Sequence, residues 1–154
     1  MMIIVIGKTN SGKTTLSIKL SDRFGLKYED FDRDLFLDFV NSNPKDTTFK
    51  TFYKQNKHLL QFEDNSIINL YTDDILRFLD LDCPFIIKIY LDNKRCSQFD
   101  IKMMKQYFSK YFQDLDWDNC DKYRTSDDIL YSSSDSFESL VEKIEQLIKR
   151  NETI

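Results

Sequence analysis

Residues 7 to 14 read Gly-Lys-Thr-Asn-Ser-Gly-Lys-Thr. The chain has only three glycines in 154 residues, and two of them, Gly7 and Gly12, bracket this stretch. Glycine, four residues, glycine, lysine and a hydroxyl residue is the spacing of a phosphate-binding loop. Such a loop turns successive backbone N–H groups inward and makes a concave nest for an anion. Glycine serves there because a side chain would obstruct the close approach and because positive φ is often required. Lys13 then reaches the β- and γ-phosphates, and the Thr14 hydroxyl can ligate the Mg²⁺ that bridges them. Gly7, Asn10, Ser11, Gly12, Lys13, Thr14 and Thr15 are therefore expected to hold Mg·ATP, with Thr14 on the metal.

The loop needs a strand before it and a helix after it. Met2 to Ile6 is a continuous apolar run, as expected of a strand buried on both faces of a parallel sheet. Lys13 to Phe24 reads as a helix with apolar Leu16, Ile18, Leu20 and Phe24, closed by Gly25 as its C-cap. The start of that helix adds free N–H groups and the positive end of its dipole to the phosphate site. A chance match in a surface turn would lack this context.

The second informative stretch is Gly-Leu-Lys-Tyr-Glu-Asp-Phe-Asp-Arg-Asp, residues 25 to 34. A short strand, Leu26 to Phe31, puts Asp30 and Asp32 at its C-terminal end, where ligands of parallel sheets sit. One carboxylate can hold Mg²⁺ through water. The other can take the proton of an attacking hydroxyl or orient the acceptor. The competing reading is a solvated acidic turn, since Glu29 and Asp34 stand beside them.

Strand, glycine loop, helix, Gly25, strand and Asp-x-Asp together resemble the opening of the small P-loop kinases that phosphorylate metabolites and nucleotides. Shikimate, gluconate, dephospho-coenzyme A and nucleoside monophosphate kinases share it. The resemblance is specific over residues 2 to 34 and coarse beyond. It implies a Mg²⁺ role for Asp30 and an acceptor-binding or base role for Asp32. It also implies that Arg95, with Lys94 and Lys102, supplies the lid cations that stabilise the transferring phosphoryl group. The chain departs from the family in having few arginines in that half. Its third strand ends Tyr71-Thr72-Asp73-Asp74, without the glycine that often follows there. Asp22 to Gly25 spells DxxG and Asn93-Lys94 begins an NKxD-like run, but a GTPase needs the first after another strand and an aspartate where Cys96 stands.

Further along, the pattern predicts helices over residues 34–40 and 47–62, a third strand over Ser66 to Tyr71, and a short helix reaching about Leu79. A fourth strand follows over Pro84 to Leu91. A helix over residues 99–115, a fifth strand over Asp128 to Tyr131, and a closing amphipathic helix from Phe137 complete the chain. Asp135 and Glu138 are read as the capping box of the last helix. Strands alternate with helices throughout, which predicts one domain, residues 1–154, of α/β class. Its architecture is a three-layer sandwich around a five-stranded, mostly parallel sheet. Residues 32–50 and 93–105 are the segments expected to move over the substrates.

Composition narrows the partners. The net charge is −4, which opposes sequence-independent binding to a nucleic-acid polymer. Three widely spaced cysteines and one histidine argue against a zinc site and for reduced thiols in the cytoplasm. No run is long enough to span a membrane. The abundance of Ile, Lys, Asn and Asp is the usage of AT-rich genomes, such as those of many phages, viruses and microbes. Lys45, Lys50, Lys54, Lys57 and His58 form a basic cluster that could meet an acceptor phosphate, or simply be a solvated helix face. The function read from these residues is an ATP- and Mg²⁺-dependent kinase for a small acceptor, foremost a (deoxy)nucleoside monophosphate. A nucleotide-dependent switch with slow hydrolysis, and a kinase for nucleic-acid hydroxyls, remain as alternatives. A homodimer is compatible with all three.

Overall fold

The computed structural model describes residues 1–7, 12–29, 48–57, 62–81, 83–92, 102, 106, 112–116, 119, 121–132 and 134–152. Five strands, β1 (Met2–Ile6), β2 (Lys27–Glu29), β3 (Ser66–Leu70), β4 (Ile86–Leu91) and β5 (Ile129–Tyr131), form one sheet in the order β2-β3-β1-β4-β5. Every pairing is parallel, with Ile6 opposite Leu70 of β3 and Tyr90 of β4. The helices are α1 (Lys13–Phe24), α2 (Phe49–Asn56) and α3 (Phe137–Glu152), with a 3₁₀ helix over Asp73–Arg77.

The central strand shows why the apolar run is unbroken. All five residues of β1 are buried, because both faces of the sheet are covered. Met2, Ile4 and Ile6 meet Phe49 and Phe52 of α2, Phe112 and Leu115 on one side. Ile3 and Val5 meet Leu16 and Leu20 of α1 and Leu140 and Ile144 of α3 on the other. The result is the expected three-layer α/β sandwich. The first layer is largely aromatic: the rings of Phe49, Phe52, Phe78 and Phe112 pack at centroid separations of 5.2 to 5.8 Å.

Local chemistry sets the element ends. Gly25 closes α1 in the left-handed conformation, φ 66°, as its position in the sequence predicts. Thr48 caps α2, its hydroxyl accepting the Thr51 N–H, and Asp114 accepts the N–H groups of Phe49 and Lys50 at 2.6 and 3.0 Å. Ile18 is 47% exposed, because Leu16, Ser17 and Leu20 define the buried side of α1 and Ile18 points away from it. One expectation needs correction. The cap of α3 is Ser136 rather than Asp135: its Oγ accepts the Ser139 N–H at 3.1 Å. Asp135 instead accepts the Ser132 N–H at 2.9 Å, one residue too early to cap a helix that begins at Phe137. The helix expected over residues 34–40 lies outside the described residues. So do most of the one over 99–115 and the end of the one over 47–62.

Among the described residues no helix is long and apolar enough to cross a membrane.

Candidate nucleotide-binding site

The connection after β1 leads toward β2 on one face of the sheet, and the connection after β3 leads toward β4 on the other. The strand order therefore reverses between β1 and β3, and a crevice opens above their C-terminal ends. Gly7 stands there, buried, with its N–H donating to the Leu70 carbonyl at 3.1 Å. The loop is thus tied to β3 at its first residue. At its far side Gly12 has φ 90° and ψ 14°, a conformation that L-residues rarely adopt. The Gly12 carbonyl accepts the Leu16 N–H at 3.0 Å and so opens α1. No side chain at the N-cap occupies the first-turn N–H groups of α1.

Lys13 is half-buried at the head of α1, and Thr14 and Thr15 are exposed. The Lys13 Nζ lies 5.6 Å from the centroid of the Tyr71 ring. Tyr71 is buried and follows β3 directly. Lys13, Thr14, Thr15, Gly7 and Gly12 are thereby brought to one edge of the sheet. Glu29 ends β2 on the same edge, since β2 runs parallel to β3. Asn10, Ser11, Asp30, Asp32 and Arg95 lie outside the described residues, as do Lys45, His58 and Lys94. The donor set that is described fits a Mg·nucleotide: an exposed hydroxyl at Thr14, a helix start whose N-cap residue has no side chain, and a lysine at the helix head.

A polar chain fixes α1 against the neighbouring strands. The Ser17 hydroxyl donates to Asn69 Oδ1, and Asn69 Nδ2 donates to the Tyr28 hydroxyl at 3.0 Å. Ser17 and Asn69 are buried. One amide therefore links the helix behind the loop to the strand that leads toward Asp30 and Asp32.

The sequence reading passed over Asp73 and Asp74, noting only the missing glycine. Both are buried. Asp73 accepts the Tyr90 hydroxyl at 2.7 Å and the N–H groups of Lys122 and Tyr123 at 3.0 and 2.7 Å. Asp74 accepts two bonds from the Arg77 guanidinium at 2.9 and 3.0 Å and the Asp116 N–H at 2.8 Å. Burial pushes the Asp73 carboxyl above its ordinary value of 3.8 against the pull of its three donors. Burial acts on Asp74 in the same direction, but there the Arg77 hydrogen bonds and charge prevail and hold it below 3.8. Burial also raises the Tyr90 hydroxyl, aided by the adjacent Asp73 carboxylate, so it stays a donor. With their oxygens engaged, these acids anchor the segment that leads into β5; they do not offer open metal ligands. Among the described residues, no three His, Cys, Asp or Glu side chains gather as a metal site. An adjacent pair of acids at the end of an apolar strand was the signal available in the sequence.

The sequence matches no family model and no curated protein. Solved structures do match over nearly the whole chain. A sugar kinase from Janibacter sp. HTCC2649 superposes with a TM-score of 0.55 at 17% identity, covering 96% of this chain and 94% of that one. Shikimate kinase from Aquifex aeolicus gives 0.52 at 18% identity, covering 99% of each chain. A gluconokinase from Sinorhizobium meliloti 1021 gives 0.52 at 10% identity, covering 97% of this chain and 91% of that one. The chain has the fold of small P-loop kinases.

β1, flanked on both sides in the sheet, leads directly into Gly7. Lys50 and Lys54 are exposed on α2, and Lys57 is exposed at its C-cap.

Proposed function

We propose that the chain is an ATP- and Mg²⁺-dependent phosphotransferase acting on a hydroxyl of a small-molecule acceptor. The observation that carries this reading is the pairing of a left-handed Gly12 with Lys13 at the head of α1, at the strand-order reversal between β1 and β3. The likeness in fold to kinases of sugars, gluconate and shikimate supports it.

In this reading the acceptor oxygen forms a bond to the γ-phosphorus as the bond from that phosphorus to the ADP oxygen breaks. The acceptor's proton passes to Asp32. Phosphoryl transfer has a loose transition state, so positioning and charge neutralisation do most of the work. Lys13 places its charge at the phosphates. The N–H groups of the loop and of the first turn of α1 hold their oxygens. Thr14 and Asp30 would hold Mg²⁺, which supplies further positive charge when bound. Arg95 would supply a lid cation that stabilises the transferring phosphoryl group, and closure of a segment over the site would exclude water.

A second acceptor class, the (deoxy)nucleoside monophosphates, is favoured by the shared exposed side of Lys50, Lys54 and Lys57, where an acceptor phosphate could dock. The test is incubation of the protein with Mg·ATP and a panel of acceptors, read by ADP release and product mass. The panel holds sugars, gluconate, shikimate, dephospho-coenzyme A, nucleoside monophosphates and a short oligonucleotide. A phosphorylated product that disappears in Lys13→Ala supports the kinase and names its substrate. Bound nucleotide with no product from any acceptor would replace it by the switch reading.

A further inference from the structure

Two adjacent residues of β3 hold the two ends of the phosphate loop. At its start, the Leu70 carbonyl accepts the Gly7 N–H at 3.1 Å. Beyond its end, the Asn69 amide oxygen accepts the Ser17 hydroxyl of α1. Ser17 stands three residues after Thr14 and four after Lys13. Residues at those spacings are neighbours on one side of a helix. The side of α1 that Asn69 grips therefore carries the lysine and the threonine of the loop, one turn nearer the helix start.

Asn69 is a costly residue for its place. It pairs with Val5 of β1, on the face of the sheet that α1 covers, and it is buried. The layer around it is built from apolar side chains such as Val5, Leu16, Leu20 and Ile67. Taking an amide out of water costs free energy unless its hydrogen bonds are replaced. Here both ends of the amide are engaged: Oδ1 accepts from Ser17, and Nδ2 donates to the Tyr28 hydroxyl at 3.0 Å. The second bond keeps the amide from turning away from the first. Apolar contact is non-directional and leaves a helix free to slide or roll over a sheet. A hydrogen bond weakens steeply as it bends. The Ser17–Asn69 bond thus fixes the rotation and the height of α1 against the strand that also holds Gly7.

We propose that Asn69 is a positioning residue for the phosphate nest, acting through Ser17. β3 holds Gly7 by its backbone and α1 by this side chain, and so sets the span between the first residue of the loop and the helix start that closes on the phosphates. This role rests on the nucleotide-binding reading of the loop, and the two are separable by experiment. Amide hydrogen exchange, followed by NMR, reads the clamp without any ligand. In Ser17→Ala the Leu16 N–H, which bonds the Gly12 carbonyl, should accelerate more than the Leu26 N–H, which bonds the Ser21 carbonyl at the far end of α1. A general loss of stability would not single out Leu16. Calorimetry with Mg²⁺ and inorganic triphosphate, and then with Mg·ATP, reads the nest. Both ligands should bind about fivefold more weakly to Ser17→Ala and to Asn69→Leu. The double variant should bind no more weakly than Asn69→Leu, since both changes break the same bond. Gly25→Ala, which strains the far end of α1, is the control for lost stability and should bind both ligands like the wild type.

Affinities equal to the wild type in Ser17→Ala and Asn69→Leu overturn the positioning role. Losses that add in the double variant, or that recur in Gly25→Ala, overturn it as well. Equal acceleration of Leu16 and Leu26 overturns the clamp itself. A wild type that binds neither inorganic triphosphate nor Mg·ATP overturns the nucleotide-binding reading, and the exchange rates then still decide whether the clamp exists. Should Asn69→Leu fail to fold, as judged by its thermal melt, Ser17→Ala measured beside Gly25→Ala decides.

Discussion

The Tyr90 hydroxyl donates to Asp73 Oδ2 at 2.7 Å, and both residues are buried. Tyr90 belongs to β4 and Asp73 follows β3, the two strands that flank β1. Their bond closes a bridge across the central strand, where Tyr90 stands opposite Ile6 of β1. It also reaches outward, because the same carboxylate holds the backbone of Lys122 and Tyr123.

Asp73→Asn should therefore destabilise the protein although it changes one atom. Three donors face the carboxylate, and an amide nitrogen would set a donor against a donor. The expected loss is about 1–3 kcal/mol, read from urea unfolding. Tyr90→Phe removes one of the three bonds and should cost about 1 kcal/mol. The double variant should lose less than the sum, since both changes remove the same contact.

The two adjacent acids give stability opposite dependences on pH. Asp74 has its carboxyl lowered below 3.8 in the folded chain. Its contribution is fully present above 3.8 and is lost as pH falls through the lowered value. Asp73 has its carboxyl raised, so its contribution is greatest below 3.8 and declines as pH rises through the raised value. The gap in unfolding free energy between wild type and Asp74→Asn should shrink as pH is lowered past 3.8. Urea titrations from neutral pH downward would show it; a constant gap would contradict the Arg77 pairing.

Gly12→Ala and Gly25→Ala make a matched pair. Both glycines have positive φ, 90° and 66°, and a Cβ at either would meet nothing within 4 Å. Each substitution should cost about 1–2 kcal/mol of backbone strain with no steric clash. Melting curves should shift alike for both. Mg·ATP affinity should fall in Gly12→Ala and stay unchanged in Gly25→Ala, which caps α1 at its far end.

Asn69→Leu removes the amide that joins Ser17 to Tyr28. It leaves a buried hydroxyl on α1 without that acceptor, at an expected cost of about 1–3 kcal/mol in urea unfolding. The exposed Arg23–Glu138 pair at 3.3 Å is the control. Arg23→Ala should change stability by less than about 0.5 kcal/mol.

Much of this was legible from residue order. β1 was read with its observed bounds, because burial on both faces leaves an unbroken apolar run. α1 was readable because Gly25 ends it and the loop starts it. The cap of α3 slipped by one residue because Asp135 and Ser136 both have capping chemistry, and only the start of the helix decides between them. Asp73 and Asp74 were passed over for a different reason. The partners of Asp73, which are Tyr90, Lys122 and Tyr123, lie 17 to 50 residues away, and the Asp116 N–H that Asp74 accepts lies 42 residues away; nothing in the local spelling reveals those distances.

The position of β1 has a consequence for how the protein is made. β1 pairs with Ile67 to Leu70 on one side and with Ile86 to Tyr90 on the other, and both partners follow it in the chain. Neither neighbour exists when the glycine loop leaves the ribosome. Contacts that distant form late, because the intervening chain must be ordered to close them. A nascent chain halted before β4 lacks one flank of the strand and the Tyr90 end of its bridge. The glycine loop precedes both strands that flank β1, so its support is complete only after β4 has been translated.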